Sequence, residues 1–139
     1  MRIEPMDRQR VELLIDLIAL VTKTERGTLM MSGRGVAPVA RCRQLAMYLS
    51  HVVYGYSLAK VGELFGREKS TVGQAVRQIE DLRDCEDFEG WISALEQALD
   101  ASQRAAARPV ERTVRVLFQP ASEALSEDAG GKRLQAAFS

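Results

Sequence analysis

Among 139 residues there is one histidine, two cysteines and a 6% share of aromatics, and the formal net charge is zero. A single histidine, His51, argues against a histidine triad and a histidine-built metal site. Cys42 and Cys85 do not form a metal or redox spacing and are read as reduced thiols of a cytoplasmic protein, with Cys42 buried. No apolar run reaches membrane length, no internal repeat appears, and Glu12 and Asp16 interrupt the run from Val11 to Val21 that would otherwise suggest a secretory leader. Paired carboxylates and activated nucleophiles are also missing at any recognisable spacing, so neither catalysis nor a cofactor is expected.

What is present is a pair of short helical patterns joined by a glycine. Ser57 can cap the first, and Leu58, Val61, Leu64 and Phe65 give it an apolar face. Gly66 stands where the chain must turn, because glycine accepts left-handed backbone angles. The second pattern sets Val72, Ala75, Val76, Ile79 and Leu82 inward and Ser70, Gly73, Gln74 and Arg77 outward. Small side chains at the front of that outer face allow close approach to base edges in a DNA major groove, with Gln74 and Arg77 in reach of a base or a phosphate. The alternative is a helical hairpin whose outer face is merely solvated.

Zero net charge hides a division. Gly33 to Arg83 holds eight basic and four acidic residues, whereas Asp84 to Asp100 holds six acids and no base. A basic module beside an acidic helix suits a nucleic-acid face backed by a side that repels it.

The runs Ala40-Arg-Cys-Arg-Gln-Leu-Ala-Met-Tyr-Leu49, Ser57-Leu58, Phe65-Gly-Arg-Glu-Lys-Ser-Thr-Val72 and Arg77-Gln-Ile79 closely resemble the C-terminal DNA-binding domain of the DnaA family, the bacterial chromosomal replication initiators. The resemblance spans roughly residues 7–99. It implies that Glu68, Lys69, Ser70 and Thr71 read bases, in place of the family's usual Asp-His-Thr-Thr. It also implies that Arg67, Arg43 and Gln44 hold the phosphate backbone. The family's basic loop is thinned here to Ser32–Pro38, with Arg34 its only base and Gly35 where a minor-groove arginine would lie. Losing those charges weakens phosphate neutralisation, and the exchanged reading residues alter hydrogen bonding and methyl contacts. A changed or weakened site preference is therefore expected. The family's ATPase domain has no room in this chain. Gly62, Gly66 and Lys69-Ser70-Thr71 do not make a phosphate-binding loop, which needs glycine directly before the lysine, so no nucleotide is expected.

The expected architecture is an all-α helical bundle containing a helix-turn-helix over residues 7–103, followed by a mostly disordered tail over 104–139 in which Thr113–Phe118 alternates weakly. A first helix from Asp7 to about Lys23 is broadly apolar, which predicts burial in its own domain, with self-association or a partner groove as the sharper reading. A second, from about Val39 to Val53, turns Val52 and Val53 inward and Arg43, Gln44, Met47, Ser50 and His51 outward, and Trp91 anchors the core from the last helix. The leading functional expectation is a small nucleoid-associated regulator of replication initiation or transcription that binds double-stranded DNA. Arg34, Arg41, Arg43, Gln44, Lys60 and Arg67 would position the backbone, and Glu68, Lys69, Ser70, Thr71 and Gln74 would face bases, with Arg77 reaching either. The alternative is a protein-binding adaptor acting on DnaA or on its regulators.

Overall fold

A computed structural model describes residues 2–27 and 37–107. Five helices follow one another: α1 (Pro5–Thr22), α2 (Ala37–Val52), α3 (Leu58–Phe65), α4 (Lys69–Leu82) and α5 (Glu86–Ala107), with no strand among the described residues. The described chain is thus the all-α bundle with a helix-turn-helix that the periodicity predicts. It divides into two units, Met1–Ala101 and Ser102–Ser139. Of the second unit only residues 102–107, the end of α5, are described. The tail expected from residue 104 therefore starts within a helix. The rest of it, including Thr113–Phe118, lies outside the described residues, as does the loop carrying Arg34.

Pro5 opens α1, where the missing proline N–H leaves no helical bond unmade. The Glu4 N–H donates to the Asp7 carboxylate at 2.8 Å, and Lys23 ends the helix in the left-handed region at φ 56°. Val11, Leu14, Ile15 and Ile18 form its buried face. The apolar surface is wider than that face. Met6, Leu13 and Leu20 remain 49%, 49% and 75% exposed, because a helix packed against one neighbouring layer covers only a stripe of its circumference.

Helix α2 is the hub, packing against α1, α3 and α4. That position corrects two expectations. Met47 and Ser50 are buried rather than outward, since a central helix is covered on more than one side. The Ser50 hydroxyl donates to the Ala46 carbonyl at 2.9 Å, so its burial leaves no unpaired donor. Conversely, Val52, expected inside, is partly exposed, 39%, at the end of the helix. His51 is half-buried, and its Nδ1–H donates to the Tyr56 carbonyl at 2.7 Å, which pins the loop between α2 and α3.

The hairpin α3–α4 follows its sequence signals. The Ser57 hydroxyl accepts from the Lys60 N–H at 3.1 Å, and Gly66 takes φ 65°. Val61, Val72, Ala75, Val76 and Ile79 are buried between α3, α4 and α2. Ile92, Leu95 and Leu99 of α5 close the core. Trp91 does not: it is partly exposed and packs beside Phe88 with the rings tilted by 40° and their centroids 6.0 Å apart. Gly73, expected on the outer face, is buried against α3, 3.7 Å from its ideal Cβ position to Leu58 Cδ1. That is ordinary contact distance. Gly73→Ala should therefore stabilise the domain by about 0.5–1 kcal/mol through helix propensity, read as a higher urea midpoint with unchanged slope.

Candidate nucleic-acid interface

The site is built by a capped helix, a glycine turn and a second helix whose first turn is left uncovered. Glu68, Lys69, Ser70, Thr71, Gln74 and Arg77 are all exposed, and they lie together along the front of α4. The turn behind them is tight. Arg67 N–H donates to the Gly62 carbonyl at 2.8 Å, and a Cβ placed on Gly62 would lie 2.5 Å from the Arg67 carbonyl oxygen. Only glycine lets the turn fold this closely over α3, and that closeness sets where α4 begins. A shallow trough between the helices is lined by Ala59, Gly62, Glu63, Gly66, Arg67, Glu68, Lys69 and Thr71. Two carboxylates there offset two cations, so it offers little net attraction to a small free anion.

On α2, Arg41 is exposed, while Arg43 and Gln44 are half-buried. Arg67 is half-buried too, with one guanidinium nitrogen donating to the Gly66 carbonyl at 3.2 Å. Arg34 lies outside the described residues. Lys60 is placed differently from the other predicted backbone contacts. Its ammonium sits 2.9 Å from Asp7 Oδ2 and 4.5 Å from the centre of the Tyr56 ring, and its side chain is 20% exposed.

Asp7 is the group the sequence reading missed. It is buried, and it accepts from the Glu4 N–H, from Lys60 and from the Tyr56 hydroxyl at 2.7 Å, with Arg10 at 3.7 Å. Those bonds, the Glu4 N–H first and then Lys60 and Tyr56, hold its carboxyl at about 2, below the ordinary 3.8. The cluster ties the start of α1 to the start of α3. An acid in the first turn after Pro5 signals a cap, but its partners some fifty residues away are not readable from spacing.

Arg83, directly after α4, plays a comparable part elsewhere in the bundle. It pairs with Glu89 and with Glu96 at 2.8 Å, and donates to the Tyr48 hydroxyl at 2.8 Å. Its pKa is raised, chiefly by the hydrogen bond to Glu89. One of the eight basic residues counted toward a nucleic-acid face therefore works as an internal clamp between α4 and α5, and two acids of the acidic segment are spent on it. Among the described residues no cluster of histidine, cysteine, aspartate or glutamate is arranged to hold a metal, and no helix is long and apolar enough to cross a membrane.

Comparison of the sequence with known proteins adds to this geometry. The model of the bacterial DnaA protein helix-turn-helix covers residues 11–79, from within α1 to near the end of α4. The chromosomal replication initiator protein DnaA of Mesorhizobium japonicum is 42% identical over 79 residues, which are 54% of this chain and 15% of that protein. DnaA of Ralstonia nicotianae is 43% identical over 72 residues, 50% of this chain and 14% of the relative. DnaA of Zymomonas mobilis is 49% identical over 55 residues, 39% of this chain and 11% of the relative. The chain thus spans only about 15% of the length of the curated relatives it matches. Residues 11–79, with their capped α3, glycine turn and open α4, match the bacterial DnaA helix-turn-helix and resemble the C-terminal domain of the DnaA initiators.

Proposed function

We propose that this chain binds double-stranded DNA in a sequence-preferring way and acts in the control of replication initiation or transcription. The observation that carries the reading is the exposure of Ser70, Thr71 and Gln74 at the front of α4, with no side chain of the described residues covering them. In helix-turn-helix recognition the first helix crosses the backbone while the start of the second meets base edges. Lys69, Ser70, Thr71 and Gln74 then face bases, and Glu68 accepts from a base amino group. Arg41, Arg43, Gln44 and Arg67 hold phosphates, with Arg77 reaching either. The relatives' role as replication initiators supports the replication context. Lys60, committed to Asp7, serves in this reading to fix α3 on α1 more than to neutralise a phosphate.

Selection of bound duplexes from random DNA at two salt concentrations tests the proposal: a recovered motif supports it, and no enrichment at either salt contradicts it. Arg43→Ala should weaken every sequence alike and lower the slope of log affinity against log salt by about one. A change confined to one base position would reassign Arg43 to base reading.

One observation favours a second reading, the protein-binding adaptor. Met6, Leu13 and Leu20, spaced seven apart along α1, present an exposed apolar stripe. That reading predicts tight capture of purified DnaA and no motif from the selection.

A further inference from the structure

A chain of side-chain hydrogen bonds crosses the surface from α2 to α4. Arg41 Nη1 donates to Gln44 Oε1 at 3.0 Å, and Gln44 Nε2 donates to Gln78 Oε1. Gln78 is exposed and follows Gln74 by four residues and Thr71 by seven, which puts it on the same flank of the recognition helix. The relay has a defined polarity. Because Gln78 offers its carbonyl oxygen, Gln44 must turn its amide nitrogen toward α4, and its own oxygen is thereby aimed at Arg41. A guanidinium has five N–H donors in a rigid fork, and the bond to Gln44 uses one of them, so the others stay available for a phosphate.

From this we infer that Gln78 is a positioning residue for DNA binding: it orients Gln44, Gln44 holds Arg41, and Arg41 meets the phosphate backbone with its side chain already ordered. The inference rests on the DNA-binding reading above and deepens it. A long, exposed arginine loses rotamer freedom when it is fixed on a ligand, and holding it in advance removes part of that cost. The relay also registers the helix that holds the backbone against the helix that faces the bases. A residue on α4 therefore acts on affinity without touching a base.

A double-mutant cycle on the full chain tests this, with a fluorescein-labelled duplex of random sequence as the probe and a salt titration for each protein. Gln78→Met keeps length and helix propensity but removes the acceptor. It should raise Kd about threefold to tenfold, the worth of one hydrogen bond, and reduce the salt slope toward that of Arg41→Ala. In the Arg41→Ala background the same Gln78→Met change should have no further effect. Melting temperatures of the single variants should match the parent, because both positions are at the surface.

Equal losses from Gln78→Met in both backgrounds would overturn the inference, since Gln78 would then act on DNA or on the fold by itself. No loss in the parent background, with Arg41→Ala still weakening binding, would overturn it too while leaving the DNA-binding reading intact. If Arg41→Ala changes neither affinity nor salt slope, there is nothing for Gln78 to position, and Arg41 loses its assigned place on the backbone.

Discussion

Replacing Asp7 with alanine is expected to cost the domain about 3 kcal/mol, the scale on which removing one partner of a buried ion pair acts. The carboxylate answers three donors at once: the Glu4 N–H, the Tyr56 hydroxyl and the Lys60 ammonium. Without it, Tyr56, a buried residue, loses its acceptor, and Lys60 keeps a mostly covered charge with no counter-ion. Urea unfolding followed by far-ultraviolet circular dichroism measures the loss. The same carboxylate predicts an acid limb. Its folded pKa of about 2 lies below its ordinary 3.8, so the native state binds fewer protons than the unfolded chain. Its contribution is then full above about pH 4 and fades as the pH falls toward 2. Asp7→Asn should remove that part of the pH dependence while keeping the bond to Tyr56. If the parent and Asp7→Asn lose stability identically between pH 4 and 2, the cluster is not what links α1 to α3.

The second large effect is expected at Gly62. An alanine Cβ there would meet the Arg67 carbonyl oxygen at 2.5 Å. The obstacle is backbone and cannot swing away as a flexible side chain would. Overpacking of this kind costs roughly 1–3 kcal/mol, and alanine recovers about 1 kcal/mol in helix propensity. A net loss of about 2 kcal/mol follows if the cost is near the upper end. Relief of the clash must displace Arg67, Glu68 and Lys69, so DNA affinity should fall even in the fraction that remains folded. Gly73→Ala, also on a helix of the hairpin, is expected to stabilise. Opposite signs at two glycines eleven residues apart separate a turn that requires close approach from a helix that merely tolerates it.

Much of this was legible in the sequence where local chemistry decides the outcome. The Ser57 cap, the left-handed Gly66 and the inward set Val72, Ala75, Val76 and Ile79 depend on neighbours a few residues away, and periodicity finds such features. The misplacements have a common cause. Met47 and Ser50 are buried because α2 is covered by three helices, and a one-faced reading of periodicity cannot anticipate a hub. Leu13 and Leu20 are exposed because α1 is covered by too little. The Asp7 cluster, the Arg83 clamp and the Gln44–Gln78 bond join residues 34 to 53 positions apart, or join charges that composition assigned to a surface field. Pairings of that kind are set by packing, and a charge count treats every lysine and arginine as though it faced water. At the interface, the exposed row at the front of α4 could be anticipated, whereas the commitment of Lys60 to Asp7 could not.

Base reading by the first turn of α4 is the proposed role on which the others depend. Its most direct measurement is the DNA motif selected by the parent chain set beside the motif selected by Thr71→Ala. Thr71→Ala is expected to bind still and to retain most of the motif, but to change its preference at one or two adjacent base pairs, by about 1–3 kcal/mol at each. Identical motifs with a uniform loss on all sequences would contradict it, because Thr71 would then support the fold or the backbone without facing a base.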